Sequence, residues 1–150
     1  MEQKLEKPKN FFYHEGRTTL KEIGSYSDVK IPRLLENVAK QGIKVNGPME
    51  FIYIGATGDE NQEFLLQIAL PIEEDLSALA PYKIRKSSEF KCLSLELKGS
   101  LEALHPTYDK AFAYIQQNRM IPSGEIREVY HVYKDFTSDE NITEIQIGIN

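Results

Sequence analysis

The feature that most constrains this chain is an internal duplication. Ile31, Leu34, Leu35 and Val38 fall at i, i+3, i+4 and i+7, one apolar stripe of a helix, and Tyr108, Ala111, Phe112 and Ile115 repeat that spacing with the same displacement at every position. Gly42 follows the first stripe and Asn118 the second, each placed to end a helix. Gly47 precedes the strand-like residues 49–54, as Gly124 precedes residues 125–133. Gln67-Ile68-Ala69-Leu70 is matched by Gln146-Ile147-Gly148-Ile149. These matches recur at a spacing of roughly 77–79 residues.

Each copy reads as strand, helix, strand, strand. In the first, residues 18–23 are strand-like and closed by Gly24, and Ser27 or Asp28 can cap a helix whose first turn accepts Pro32, since the first helical N–H groups have no intrahelical partner. Asn46-Gly47-Pro48 is turn chemistry, and residues 49–54 and 63–70 form a hairpin that Pro71 cuts off. In the second copy a strand-like stretch over residues 82–98, with a charged kink at 86–89, leads to Pro106-Thr107 and the second helix. Residues 125–133 and 142–149 make its hairpin. Residues 1–10 are polar, contain Pro8 and read as a mobile tail before a domain over 11–150, with pseudo-repeats at about 17–72 and 82–150. A three-stranded unit with one helix buries too little by itself, so the copies must share a core. The expected fold is α+β, with duplicated β-α-β-β units sharing an antiparallel sheet, two helices on one face and a ligand cleft on the other.

The stretch Glu125-Ile126-Arg127-Glu128-Val129-Tyr130-His131-Val132-Tyr133 sets a carboxylate among β-branched and aromatic residues. Strand alternation puts Ile126, Glu128, Tyr130 and Val132 on one face and Arg127, Val129, His131 and Tyr133 on the other. An acid sharing a face with a ring suits either the solvated side of a sheet or the floor of a pocket for cationic, ring-bearing molecules. Glu50 is read as the repeat equivalent of Glu128 and so as a second candidate acid. Tyr26, Tyr53, Tyr82, Tyr114, Tyr130, Tyr133 and Phe12 are the candidate walls, with Tyr130 first because alternation places it beside Glu128.

Other chemistries find little support. The formal net charge of −5 argues against a nucleic-acid surface, which needs clustered Lys and Arg. Cys92 is the one cysteine, so no internal disulfide forms, and it reads as inert packing. His14, His105 and His131 are scattered without metal-ligand spacing, so neither a metal nor another cofactor is expected. No Gly-x-Ser-x-Gly nucleophile elbow is present, and Gly55 and Gly58 lack the spacing of a phosphate cradle. No apolar run approaches the ~20 residues of a membrane helix and the first residues form no signal core, which makes the cytoplasm the expected compartment.

Gly24-Ser25-Tyr26 ahead of the first helix, Gly47-Pro48 before the hairpin, Glu128-Val129-Tyr130 and the ending Thr143-Glu144-Ile145-Gln146-Ile147 together resemble the GyrI-like domain, the effector-binding domain of AraC-type and MerR-type multidrug-responsive regulators. The resemblance covers about residues 17–150. It implies a concave sheet that binds cationic aromatic or amphipathic molecules through an acid and stacked rings, with Glu128 as the central glutamate and Tyr26 in a matching motif. No helix-turn-helix precedes the domain, and there is no Trp for stacking, which leaves that role to Tyr and Phe. The expectation is a stand-alone binder that senses or sequesters such compounds, with Glu128, Tyr130, Tyr26, Tyr53, Tyr114 and Glu50 as candidate ligand-binding residues. The resemblance also implies two alternatives, a cyclopropane-type toxin hydrolase using Glu128, and an inhibitor that binds DNA gyrase as a protein partner. Oligomeric state is left open, with a protein partner or a homo-oligomer equally compatible.

Overall fold

A computed structural model of the chain describes residues 1–73 and 81–150. Their strands are β1 (Glu2–Glu6), β2 (Asn10–Thr18), β3 (Glu50–Ile54), β4 (Phe64–Ile72), β5 (Lys83–Lys86), β6 (Phe90–Lys98), β7 (Pro122–Val132) and β8 (Ile142–Ile149). The helices are α1 (Ile23–Gln41) and α2 (Leu104–Gln117), the latter preceded by a 3₁₀ turn over Leu101–Ala103. All eight strands join one antiparallel sheet in the order β1-β6-β8-β7-β3-β4-β2-β5. The α+β architecture expected from the duplication is the one observed.

Chain connectivity forces this sheet to curl. β1 lies at one edge and β2 next to the other, so in a flat sheet they would stand six strand spacings apart, about 29 Å. Only residues 7–9 join them, a link that reaches at most about 14 Å. Residues 87–89 impose the same limit between β5 and β6. The two links meet: the Ser87 N–H donates to the Lys9 carbonyl at 2.8 Å, and the Lys9 N–H donates to Ser87 Oγ at 2.9 Å. The first repeat thus lends β1 to the second repeat's β6, and the second lends β5 to the first repeat's β2.

Both helices pack on the same face. Leu34 of α1 is fully buried in a cluster with Phe12, Leu66 and Ile68, while Ala111 and Ile115 of α2 pack with Leu93, Ile145 and Ile147. Gly42 ends α1 in the left-handed region at φ 63°, as its place after the apolar stripe predicts. The inner face of the curl carries Phe11, Tyr13, Ile52 and Ala69, and the Arg127 guanidinium lies 4.0 Å from the centroid of the Phe90 ring. Glu144 also sits on that face. Burial opposes its charge, but hydrogen bonds from Gln146, Lys4, His131 and Ser94 outweigh burial and hold its carboxyl down to about 2.

Several expectations need correction. Residues 2–6 are a strand, not a tail: their main chain pairs with β6, and Lys4 reaches Glu144 at 2.8 Å, interactions that leave no apolar pattern to read. The stretch over 82–98 is two strands, divided where the chain crosses between the edges of the curl. Pro71 lies within β4 rather than ending it, beyond the end of β3, whose Glu50 pairs with Ala69. Helix α1 begins at Ile23, so Gly24-Ser25-Tyr26 and Pro32 are inside it. Thr19 Oγ1 accepts the Glu22 N–H at 3.2 Å, while the Ser25 and Ser27 hydroxyls donate back to the carbonyls of Glu22 and Gly24 instead of capping. No helix of the described residues is long and apolar enough to cross a membrane.

Gly148 of β8 pairs with Cys92, and a Cβ there would stand 2.1 Å from Ser123 Oγ, 2.7 Å from the Glu125 carbonyl oxygen and 2.9 Å from a Phe90 ring carbon. Gly148→Ala is expected to cost about 1–3 kcal/mol of overpacking, read as a lower urea midpoint.

Candidate functional site

The site grows out of the central strand pair. β3 and β7 run antiparallel with Phe51 opposite Glu128. The offset of about 77 residues that relates Gly47 to Gly124 also relates Phe51 to Glu128, Tyr53 to Tyr130, and Ile31 to Tyr108. Phe51 and Glu128 are therefore equivalents that face each other, and the local twofold axis passes between them. This corrects the assignment of Glu50 as the partner of Glu128. A shift of one residue changes face in a strand, and Glu50 points to the inner side of the curl, where it is fully buried with the Lys9 ammonium at 2.8 Å.

Glu128 is 2% exposed and receives three tyrosine hydroxyls. Tyr53 donates to Oε1 at 2.9 Å, Tyr130 to Oε1 at 2.6 Å and Tyr108 to Oε2 at 2.5 Å. Tyr53 and Tyr130 come from the duplication itself, one from each central strand. Tyr108 reaches in from α2 where the first repeat has Ile31 on α1. Burial raises the Glu128 carboxyl above its ordinary range, and the hydrogen bonds from Tyr108, Tyr130 and Tyr53 oppose that rise without cancelling it. Burial, followed by the adjoining Glu128 charge, pushes all three phenols well above their usual value, so they remain donors.

Above this carboxyl opens a cavity of about 660 Å³. Its floor is Phe51, Tyr53, Glu128 and Tyr130; one wall is the first three turns of α1, with Ile23, Gly24, Ser27, Asp28 and Ile31. Leu101 and Leu104 at the start of α2 form the other wall, Met49 adds to the floor, and Tyr133 and Phe136 stand on the loop after β7. No described lining residue is Lys, Arg or His. The cavity therefore opens between the two helices, on the face they cover, and not on the opposite face as expected. Curling makes the opposite face the crowded inside, while the gap between α1 and α2 over the axis is left unfilled.

Of the six candidate residues, Glu128, Tyr130 and Tyr53 line the cavity, whereas Tyr26, Tyr114 and Glu50 do not. Tyr26 points from α1 toward β2, where its hydroxyl meets His14 Nε2 at 2.7 Å over Gly16, whose missing side chain makes the room. Burial, then the Lys30 charge, lowers the pKa of that histidine. Tyr114 packs against the Leu93, Ile145 and Ile147 cluster. Of the other ring candidates, Tyr82 stacks on Phe12 at 5.3 Å, away from the cavity, and Tyr133 lines it despite its opposite place in the alternation, because the register shifts between Tyr130 and Val132. Tyr108 was visible only as a member of the second apolar stripe; its hydroxyl, absent from Ile31 at the matching position, was the available signal. Among the described residues no group of three or more His, Cys, Asp or Glu side chains could hold a metal ion, and burial pushes the Cys92 thiol up to about 11.

A cleft of several hundred Å³ with apolar walls and a few polar groups converging at its base is the usual form of a small-molecule site. The chain belongs to the GyrI-like family: the GyrI-like small molecule binding domain matches residues 1–150. The fold is similar to the EcmrR C-terminal domain, with a TM-score of 0.85 at 16% identity over 99% of this chain and 96% of that one. Against EcmrR in its complex with DNA the TM-score is 0.86 at 15% identity, and this chain, 99% covered, spans 56% of that longer one. SAV2435 bound to tetraphenylphosphonium is similar at a TM-score of 0.68 and 17% identity, over 100% of this chain and 94% of that one. A hydrolase from Listeria innocua is similar at 0.63 and 12% identity, over 99% and 91%. No curated protein sequence matches the chain.

The raised pKa of Glu128 has a stability consequence. The folded state holds its proton to higher pH than the unfolded chain, whose Glu has a value of 4.5, so folded stability falls as pH rises from 4.5 through the folded-state value. Urea unfolding of wild type and Glu128→Gln across that window should show the variant gaining relative stability as pH rises; parallel pH profiles would contradict the assignment.

Proposed function

We propose that this domain binds aromatic or amphipathic organic cations in the cavity over the repeat axis, with the ionised Glu128 carboxylate as their charge partner. The observation that carries the reading is a carboxyl almost removed from water at the base of an apolar cavity whose described lining has no positive side chain. An isolated buried carboxylate is costly and either protonates or meets a cation. The three hydroxyls of Tyr53, Tyr108 and Tyr130 supply part of the lost hydration and favour the ionised form. A flat or ring-bearing cation would supply the rest, while Phe51, Tyr53 and Tyr130 offer aromatic faces and edges for cation–π contact. Support from outside the chain is modest and consistent: SAV2435, of the same fold, binds tetraphenylphosphonium.

Such a protein would sense or sequester its ligands. Hydrolysis is the competing reading, since a hydrolase shares the fold. The hydrogen bonds favour binding over base catalysis: Oε1 already accepts two hydroxyls and Oε2 one, which leaves little free capacity to activate water. Product accumulating beyond one equivalent of protein would reverse that preference.

Tetraphenylphosphonium is the first probe. A hundredfold excess over Kd should stabilise the fold by about 2.7 kcal/mol, visible as a rise in Tm. Glu128→Gln should weaken binding by roughly 2 kcal/mol or more. Because the cation needs the ionised carboxylate, affinity should drop by up to about tenfold per pH unit below the raised Glu128 value, with a proton released on binding in calorimetry. Unchanged affinity in the variant, or affinity flat with pH, would remove Glu128 from this role.

A further inference from the structure

The cavity carries a second acid that the Glu128 reading does not use. Asp28 lines it from α1, exposed at the rim, while Glu128 lies at the base. Beside the rim stand Tyr133 and Phe136, each 54% exposed although both also line the cavity. Two exposed rings on a floppy loop would be unremarkable, but this loop is braced. The Asn141 side chain, fully buried, accepts the Lys134 N–H at 2.9 Å and donates to the Asp135 carbonyl at 2.7 Å, and the Phe136 carbonyl accepts the Leu101 N–H at 2.9 Å.

From these observations we infer a two-station cavity, in which Glu128 holds one cationic head at the base and Asp28, with the Tyr133 and Phe136 rings, holds a second at the mouth. The ligand class this fits is an amphipathic molecule with two cationic, preferably aromatic, heads joined by an apolar linker that runs along Ile23, Ile31 and Leu104. Two acids lining one apolar cavity, Asp28 exposed and Glu128 buried, with no described basic lining residue, favour two separated positive charges over one. At the mouth the carboxylate is hydrated and contributes modestly by itself, and the flanking rings strengthen the station through cation–π contact. This inference rests on the proposed cation-binding role of the cavity and assigns its specificity.

The test compares a decamethylene-linked bis-pyridinium with N-decylpyridinium, the same ten-carbon chain with a single head, by titration calorimetry on the full chain. Two identical heads alone give a statistical factor of about two, whereas the outer station should raise the preference for the double-headed compound to roughly tenfold. Asp28→Asn, an exposed substitution, should return the preference to near two by weakening the double-headed compound far more than N-decylpyridinium; Tyr133→Ala with Phe136→Ala should lower the preference in the same direction. Glu128→Gln should weaken both compounds. If both bind with a preference near two in the wild type, or Asp28→Asn weakens both equally, the outer station is overturned and the cation-binding role stands. If neither binds and tetraphenylphosphonium also fails, both fall.

Discussion

Two links of three residues hold this architecture in shape. Because residues 7–9 and 87–89 each must carry the chain between opposite regions of an eight-stranded sheet, the sheet cannot lie flat, and where the links cross they bond through Lys9 and Ser87. Everything else is arranged around the resulting curl. The inner face has room for close packing of Phe11, Ile52 and the Arg127–Phe90 stack, and for buried ion pairs such as Lys9–Glu50. The outer face carries two helices, and the space between them over its middle is the cavity.

The placement of charge follows from that division. Acids on the inner face are neutralised by the protein itself, as Glu50 is by Lys9 and Glu144 by Lys4. Glu128 is buried to a similar degree but meets only hydroxyls, which are dipoles and leave its net charge in place. The difference is one of energy. A buried acid with a built-in cation is structural, whereas one held by neutral donors beside an open cavity is still short of a counter-charge.

Much of this was legible in the sequence. The helical stripes, Gly42, and the paired hairpins disclosed the duplication and hence the shared sheet, because local periodicity and turn chemistry survive into the fold. Alternation along residues 125–133 correctly put Glu128 and Tyr130 on one face. What was not legible depended on tertiary closure. β1 has no apolar pattern and exists through main-chain pairing with β6. The start of α1 was misread because Ser27 and Asp28 could have been caps, and only the turn at Thr19 decides otherwise. Glu50 was misassigned by choosing a repeat offset one residue too long, an error that a period-2 element turns into the wrong face. Tyr108 and Asp28 join the site across the gap between helices, a relation that no spacing within either helix records.

The local twofold between Phe51 and Glu128 has a consequence for how such a site could arise. Two separate copies of one repeat, assembled as a dimer, could place only like with like at that point. They would offer two phenylalanines and no acid, or two carboxylates on directly paired positions, repelling each other and obliged to share a proton. Joining the copies in one chain frees the two positions to differ. The single carboxylate on the axis, flanked by the matched Tyr53 and Tyr130 and by the unmatched Tyr108, is thus an arrangement open to a fused gene and closed to its symmetric precursor.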